Sequence, residues 1–344
     1  MELSRLRPVF GRKGPFATVY LEGRSPGEDA PQQVRLRWKA LRERLAGAGA
    51  VAAALDAVEA AVFGKQAGEV QTNGRVLVAT EAGVVLDEPW DAALGAGDDA
   101  HWTAAPELGA LVREEARSVR VLVAVADQHG AAVRQEVVAW QHTTDEVDTS
   151  SVEGGSIEGV HKPRGGALAH NQIQRRADEA VEQNAQDIAA HLGSVEATFR
   201  PRVLVLAGET QARTAVRDEL SARLAGICVE ADRGGTDDDA AEQALAEQIR
   251  QIASEESARN AAARSEQLNE GLAHGRAVHG AEAVGQAAER GAVDTLLFEH
   301  HVSAVREAAL LHACAETGAS VDLVDTGTDL GDGVGALLRF PLPS

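Results

Sequence analysis

A continuous apolar run, RVLVLAG from Arg202 to Gly208, constrains the fold of this chain more than any other feature. A short apolar run of this kind is typical of a strand that is buried on both faces. A helical segment from about Thr210 to Ala225 follows it, and then a second short strand, ICVEA. This strand–helix–strand order predicts a mixed sheet with parallel neighbours, because parallel strands need a crossover connection. The predicted fold class is therefore α/β.

The chain is long enough for more than one hydrophobic core. Its 344 residues exceed the length at which a single core stops growing. We predict three α/β domains, with boundaries at residues 1–115, 116–268 and 269–344. Aromatic residues make up only 3% of the chain, so these cores must be built from Ala, Val and Leu.

The N-terminal domain is predicted from two periodicities. A β-branched and aromatic run from Phe16 to Glu22 predicts a strand. Apolar residues recur every three or four positions from Gln32 to Phe63, which predicts an amphipathic helix with a break near Gly47–Gly49. RVLVAT, from Arg75 to Thr80, and the following GVVLDEP predict a hairpin. We expect a loop over residues 91–100.

The middle domain is predicted to begin with a hairpin, formed by Val119–Asp127 and Ala131–Trp140. The polar region from Gln141 to His170 shows no apolar periodicity, so we predict a long loop there. Loops of this length inside compact domains are uncommon and are usually functional or disordered. We therefore expect residues 144–170 to be poorly ordered without a partner. A helix is predicted from about Asn171 to about Leu192.

The C-terminal domain is predicted as a small α/β unit, and a long polar helix from about Thr236 to Leu272 precedes it. The predicted elements are a helix at Ala281–Arg290, the strand DTLLFEH, a helix at Ser303–Thr317, and the strands SVDLVD and VGALLRF.

The segment from Gly159 to Ala177 differs in charge from the rest of the chain. It contains four Lys or Arg residues and no Asp or Glu, whereas the formal net charge of the chain is −20. Its glycine pair can adopt backbone conformations that a side chain would forbid. A basic, glycine-centred loop on an acidic body indicates contact with phosphate, most simply the backbone of RNA. The predicted RNA-binding residues are His161, Lys162, Arg164, Gly165, Gly166, Ala167, His170, Arg175 and Arg176.

Other chemistries have weaker support in the sequence. Cys228 and Cys314 are far apart and lack a CxxC motif, which argues against a disulfide framework or a zinc site, and we expect both to be buried. His300 and His301 are predicted to be a polar strand end, since adjacent strand side chains point to opposite faces. We predict no metal and no cofactor. No run approaches the about 18 apolar residues needed to span a membrane, and the N-terminus lacks a signal-peptide pattern, so we expect a soluble, cytoplasmic protein that binds neither membrane nor DNA.

Three sequence blocks carry a family resemblance. HKPRGGALAHNQIQRRADEAVEQN resembles the glycine-rich loop and following helix of the archaeo-eukaryotic class-one release factor and Pelota superfamily, in its bacterial branch. RVLVLAG with its helix resembles the next part of the RNase H-like middle domain of that superfamily. EAVGQAAERGAVDTLLFEH and DGVGALLRF resemble its C-terminal domain, a small Pelota-type α/β sandwich. The N-terminal GPFATVYLE resembles an actinobacterial subgroup related to the hibernation factor Balon and to Vms-type peptidyl-tRNA hydrolases.

One position departs from the family pattern. In an ungapped alignment from Arg164, the catalytic Gln of the family falls on Ala167. In active release factors this loop helps a water attack the peptidyl-tRNA ester. Ala167 keeps a backbone N–H that can stabilise oxyanion charge but lacks the side chain that shapes the water site. We therefore predict weak hydrolysis at most and assign no catalytic residue. The N-terminal domain shows no stop-codon motif, so termination at specific codons is not expected.

The resemblance implies a protein that binds the 70S ribosome in its A site. The basic loop would point toward the peptidyl transferase centre and contact rRNA and P-site tRNA. Elongation factor Tu is the translation GTPase that the family implies as a partner, and ribosome hibernation is the implied role. An alternative is a peptidyl-tRNA hydrolase or ribosome-rescue factor that works through the loop backbone and Gln172 or Gln174. A third is a protein-binding module that has lost the ribosome.

A nuclease is a weaker alternative. Asp127 lies at the end of the first strand of the middle domain, where nucleases of this fold place a metal ligand. A two-metal site needs several converging acids. Glu136 and Asp145 offer no evident geometry, and the sequence Asp127-Gln128-His129-Gly130 is typical of a turn.

Overall fold

The computed structural model divides the described chain into two compact units. One comprises Met1–Arg117 together with Ala258–Ser344, and the other comprises Ser118–Ser257. For residues 167–179 of the second unit it describes the backbone alone. The described residues are 1–21, 30–64, 74–90, 97–139, 142–153, 167–231 and 239–342.

The N-terminal region of the first unit contains a four-stranded antiparallel sheet in the order β3-β2-β1-β4. The predicted strand, the helix break and the hairpin are all confirmed, whereas β4 and α4 were not predicted. Its elements, in chain order, are a 3-10 turn (Leu3–Leu6), α1 (Arg7–Phe10), β1 (Phe16–Leu21), α2 (Ala30–Gly47), α3 (Ala52–Phe63), β2 (Gly74–Thr80), β3 (Gly83–Trp90), β4 (Asp99–Thr103) and α4 (Gly109–Arg117).

The central strand β1 is buried on both faces. Successive side chains of a strand point to opposite faces. Ala17, Val19 and Leu21 therefore pack in one core with α2 and α3. Phe16 and Tyr20 pack in a second core on the other face, which is shared with the C-terminal region of the chain.

The second unit contains a five-stranded sheet in the order β7-β6-β5-β8-β9. Strands β5, β6 and β7 pair antiparallel, and β8 and β9 add to β5 in parallel. This topology is the RNase H-like arrangement predicted for the middle region. Its elements are β5 (Val119–Ala126), β6 (Gly130–Ala139), β7 (His142–Glu153), α5 (Ala167–Phe199), β8 (Val203–Gly208), α6 (Thr210–Glu219), α7 (Ala222–Gly226), β9 (Cys228–Glu230) and the part of α8 (Asp239–Ala273) that ends at Ser257.

Helices cover both faces of this sheet. Leu122 and Leu204 share a core with α5, α6 and α7 on one face. Val121 and Val203 share a core with the first part of α8 on the other face. The sheet is therefore buried on both sides in its parallel part, which explains why RVLVLAG is apolar without alternation.

The C-terminal region of the first unit contains a four-stranded sheet in the order β10-β13-β11-β12. Strands β11 and β12 are parallel and are connected through α10, as the strand–helix–strand order predicts. The predicted helices and strands of this region are confirmed, whereas β10 was not predicted. The elements are β10 (Ala277–His279), α9 (Ala281–Glu289), β11 (Val293–Glu299), α10 (Glu307–Thr317), β12 (Ser320–Val324) and β13 (Val334–Leu338).

The first residues of the chain pair with this C-terminal sheet. The Leu3 N–H donates to Ala319 O at 3.0 Å, and the Val321 N–H donates to Met1 O at 2.7 Å. The N- and C-terminal regions thus form one unit with a common core. The three predicted sheets are present, and the domain boundaries at residues 115 and 268 stay predictions.

The long loop predicted over Gln141–His170 is wrong at both ends. Its first part forms β7, an edge strand that pairs with β6 from Gly130 to Ala139. An edge strand forms hydrogen bonds along one side only and can carry polar side chains on its exposed surface, so it needs no apolar periodicity. Its last residues belong to α5, which begins at Ala167 and ends at Phe199. Residues 154–166 lie outside the described chain.

The two longest helices, α5 and α8, are polar along much of their length. None of the helices in the described ranges combines the length and the apolar character that crossing a bilayer requires.

Candidate functional site

The predicted RNA-binding residues divide into two groups. His161, Lys162, Arg164, Gly165 and Gly166 lie outside the described residues. The remaining four lie on the backbone of one helix: α5 starts at Ala167, and His170, Arg175 and Arg176 follow within its first three turns. The structure therefore places these four on the backbone of a single helix. The contacts of all nine residues stay predictions.

The C-terminal half of α5 is packed against the sheet of the second unit. Ile188 and Leu192 are fully buried in the core beneath it. Asn184 is 7% exposed, and its Nδ2 donates to the Gln128 carbonyl at 3.3 Å, in the turn between β5 and β6. His191 Nε2 lies 2.8 Å from Ser150 Oγ on β7. Core packing and two polar contacts thus fix this half of the helix.

The uninterrupted helix carries Ala167 away from this packed half. Seventeen residues separate Asn184 from Ala167, which corresponds to roughly 25 Å along the helix axis at 1.5 Å per residue. The first N–H groups of an α-helix have no partner within the helix, and the helix dipole places partial positive charge there. Basic residues and a helix N-terminus can together attract a phosphate group.

In the turn after β5, Asp127 stabilises the backbone of the turn. Asp127 Oδ1 accepts hydrogen bonds from the N–H groups of His129 at 2.7 Å and Gly130 at 2.9 Å, so the predicted turn is confirmed. Glu136 is buried and lies 3.3 Å from Arg134 Nε. Within the described ranges, no three His, Cys, Asp or Glu side chains form a group that could hold a metal ion.

The two cysteines differ in burial. Cys314 is buried as predicted, whereas Cys228, predicted to be buried, is only half-buried, because β9 is a three-residue edge strand. Burial raises the pKa of Cys314 to about 12 and that of Cys228 to about 11. Both are therefore neutral thiols at pH 7, which disfavours nucleophilic or metal-binding roles.

A cavity of about 850 Å³ lies between the N- and C-terminal regions of the first unit. Arg113 of α4 forms an ion pair with Glu307 of α10 at this cavity. Burial raises the pKa of Glu307, and Arg113 partly offsets that effect. The polar and charged residues that line the cavity include Asp99, His101, Glu107, Arg113, His300, His301, Ser303, Arg306 and Glu307.

His300 and His301 directly follow β11, so their assignment to a polar strand end is confirmed. Their rings lie 4.3 Å apart in an edge-to-face arrangement. Burial, and then the charge of Arg117, lower the pKa of His300 to about 4. His300 is therefore neutral at pH 7. The cavity beside His300 was not predicted from the sequence. The helix α4, which lines it, could have been recognised from the apolar pattern of Leu111, Val112 and Ala116.

Residues 120–274 match the sequence model of bacterial archaeo-eukaryotic release factor family 2. Two uncharacterized proteins from two strains of Mycobacterium tuberculosis are each 28% identical to this chain over 230 residues. Each match covers 65% of this chain and 58% of the relative, so the chain spans little more than half the length of these relatives.

Several solved structures are similar to this chain at low sequence identity. A model of ribosome-bound archaeal Pelota and ABCE1 is 14% identical, with a TM-score of 0.46, and the match covers 99% of this chain and 95% of that chain. Saccharomyces cerevisiae Dom34, a translation termination-like factor, is 13% identical, with a TM-score of 0.41 and 75% of each chain covered. The archaeal termination factor aRF1 is 17% identical, with a TM-score of 0.27, covering 98% of this chain and 97% of that chain. These TM-scores are too low to establish a common arrangement of whole chains.

The matched residues 120–274 take in nearly all of the RNase H-like sheet, together with α5 and α8. They also contain all nine predicted RNA-binding residues. Membership of the Balon-related subgroup stays a prediction. Over residues 120–274 the chain is therefore similar to bacterial archaeo-eukaryotic release factor family 2.

Proposed function

We propose that this protein binds the 70S ribosome in the A site and acts as a hibernation factor. Residues 161–176 point toward the peptidyl transferase centre and contact the phosphates of rRNA and P-site tRNA in this proposal. The observation that carries it is an acid-free run with four Lys or Arg residues at the start of α5, in a chain of net charge −20.

The charge distribution supports a local contact rather than a general one. The rest of the chain is net negative, so binding to phosphate needs local groups of cations such as these four and depends on the way they are held. α5 supplies the support, because its packed half fixes the direction in which the helix leaves the sheet. Proteins held on RNA by phosphate contacts lose affinity as salt rises, since binding releases counterions.

Ala167 supports a role without efficient peptide release. It is the first residue of α5 and takes the position of the catalytic Gln of the family. Its methyl group cannot orient a water molecule. In this proposal the C-terminal region meets a translation GTPase, for which the family resemblance implies elongation factor Tu.

The proposal is tested by pelleting the protein with 70S ribosomes over a range of salt concentrations. We expect binding at low salt that weakens as salt rises, and strong loss of binding in the Lys162/Arg164/Arg175/Arg176→Ala variant. The matched control is Arg217/Arg223/Arg250/Arg276→Ala, which removes the same charge from arginines that are ion-paired on the surface. Equal binding of the two variants would contradict the proposal.

A second candidate function is peptidyl-tRNA hydrolysis. The observation that favours it is the sequence position of Gly165 and Gly166 directly before α5. The first N–H groups of an α-helix have no partner within the helix, and such donors can stabilise oxyanion charge. Release of peptide from ribosome-bound peptidyl-tRNA, abolished by Gly166→Val, would establish this function. Ribosome binding without release supports the hibernation proposal instead.

A further inference from the structure

Three arginines lie together at the end of the RNase H-like sheet where β5 and β8 begin. Arg120 belongs to β5, Arg200 directly follows α5, and Arg202 directly precedes β8. We call them the arginine cluster. The Arg202 N–H donates to the Arg120 carbonyl at 2.8 Å, and the next residues, Val121 and Val203, are register partners in the parallel pair. Arg120 and Arg202 are therefore neighbours across the two strands.

The side chains of Arg120 and Arg202 belong to the face of the sheet that α5 covers. Each lies two residues before a leucine, Leu122 or Leu204, that packs in the α5 core, and side chains two apart on a strand share a face. Arg200 joins them where α5 ends. Arg120 and Arg200 are exposed, and Arg202 is partly exposed. The cluster is thus a basic surface next to the C-terminal end of α5.

Four other arginines of the second unit are neutralised by carboxylates. Arg134, Arg217, Arg223 and Arg250 each form an ion pair with an Asp or Glu. Within the described ranges, the side chains of Arg120 and Arg200 have no carboxylate partner.

The cations of the cluster also repel one another. Burial, and then the charges of Arg202 and Arg200, lower the pKa of Arg120, although an arginine remains charged at neutral pH. Like charges kept together in so acidic a chain are unfavourable for the free protein.

The C-terminal dipole of α5 does not account for both Arg120 and Arg200. A helix end carries about half an elementary charge, which one arginine satisfies. The acid in the last turn of α5, Glu196, is paired with Arg223 instead. Arg200 has a φ of 51°, a left-handed conformation that is unfavourable for residues other than glycine. Strained backbone of this kind is often associated with a functional requirement.

We propose that Arg120, Arg200 and Arg202 bind phosphates of structured RNA. The guanidinium group matches phosphate geometry with two parallel hydrogen bonds, so a set of neighbouring arginines suits a folded RNA backbone. The 33 residues of α5 place this contact roughly 50 Å along the helix from the basic segment at its start. The inference rests on the proposed ribosome function, to which it adds a second contact with RNA.

The test uses the full chain and an RNA duplex of about 16 base pairs, the length that a double-stranded RNA-binding domain spans. Fluorescence anisotropy measures affinity between about 50 and 200 mM salt. For Arg120→Gln/Arg200→Gln we expect about tenfold weaker binding and a salt slope smaller by about 1 for each phosphate contact removed. The matched control is Arg217→Gln/Arg250→Gln, which removes two paired arginines of the same unit and should bind as the wild type does. The melting temperature of the cluster variant should equal or exceed that of the wild type, because repulsion is removed.

A duplex affinity and salt slope unchanged from the wild type would overturn the inference, as would a wild-type protein that does not bind the duplex. Pelleting with 70S ribosomes separates this failure from that of the proposed function. If the cluster variant pellets with ribosomes as fully as the wild type, the proposed RNA contact of the arginine cluster is wrong, whereas the proposed ribosome function is retained. If the protein binds the duplex through the arginine cluster but does not pellet with ribosomes, the RNA contact of the cluster is supported and the proposed ribosome function is wrong.

Discussion

Arg113 of α4 and Glu307 of α10 form an ion pair between side chains that are only 11% and 10% exposed. The pair joins the N- and C-terminal regions of the first unit, 194 residues apart in the sequence. Gly109 makes room for it, since a Cβ at that position would lie 2.4 Å from Glu307 Oε1. The pair therefore fixes α4 against the start of α10.

Removing one member of this pair should be costly. Arg113→Met leaves a buried carboxylate without its counter-charge, and we expect the free energy of unfolding to fall by about 3 to 5 kcal/mol. The double variant Arg113→Met/Glu307→Leu should recover most of that loss, because neither charge remains. Urea denaturation of the full chain measures both effects.

The control for this cycle is Arg42→Met. Arg42 pairs with Asp56 and Glu59 on the surface, where ion pairs contribute about 1 kcal/mol or less. A double variant as unstable as Arg113→Met would show that the charges are not the source of the loss.

Protonation of His300 should make the protein less stable as pH falls. Its folded-state pKa is about 4, below the value of about 6.5 for an unfolded chain. The unfolded state therefore binds more protons between these two values, and stability falls as pH decreases from about 6.5 toward about 4. Burial and the charges of Arg117, His301 and Arg113 cause the shift.

His300→Gln should make the stability profile flatter over this pH range than that of the matched variant His274→Gln, which changes an exposed histidine. Denaturation midpoints measured at several pH values provide the profiles. If the two stability profiles have the same slope, the prediction that the pKa of His300 is lowered in the folded protein is wrong.

Tyr20 should not ionise in the folded protein at about pH 11. It is 3% exposed and donates to the Glu107 carbonyl at 2.7 Å, and burial raises its pKa well above the usual range. Because Tyr20 is the only tyrosine of the chain, tyrosinate absorbance reports on it alone. We expect that absorbance to appear only when denaturant is added. A raised folded pKa also means that stability is lost as pH rises above about 10. Full tyrosinate absorbance in protein that remains folded would disprove the prediction.

Gly208 should not tolerate a side chain. Its φ is +97°, and a Cβ would lie 2.0 Å from the Ala126 carbonyl oxygen on the neighbouring strand. The left-handed conformation alone costs about 1 to 2 kcal/mol for an alanine, and the clash with backbone adds to it. We expect Gly208→Ala to lower the free energy of unfolding by at least about 2 kcal/mol.

Gly193→Ala is the control for Gly208. Gly193 lies inside α5 with no atom within 4 Å of an added Cβ. Alanine is favoured over glycine within a helix by about 0.5 to 1 kcal/mol, so this variant should be slightly more stable than the wild type. Similar stabilities for the two variants would contradict the close approach of β5 and β8.

Local patterns in the sequence were sufficient for elements with strong periodicity. The apolar run of β8, the break between α2 and α3, and the β11–α10–β12 unit follow from residues close together in the chain. β7 was missed because an edge strand can be polar on its exposed surface. The core shared by Leu3 and Val321 was missed because it joins residues from opposite ends of the chain.

In the candidate site, too, features formed by neighbouring residues could be predicted, whereas features formed by residues far apart in the sequence could not. The basic segment was found from charge alone, since its four cations lie within fifteen residues of sequence. The arginine cluster was missed because Arg120 and Arg202 are neighbours only once β5 and β8 pair in parallel. The buried pair of Arg113 and Glu307 likewise depends on contacts that no local pattern encodes.

The central claim, that the basic segment contacts ribosomal RNA, is tested most directly by site-specific crosslinking. A photoreactive amino acid in place of Ala169, within the basic segment, is irradiated in the complex with 70S ribosomes, and the crosslinked nucleotides are mapped. We predict crosslinks to 23S rRNA at the peptidyl transferase centre, with none there from a probe in place of the exposed Val305. Crosslinks from position 169 only to ribosomal proteins, or to the protein itself, would contradict the account.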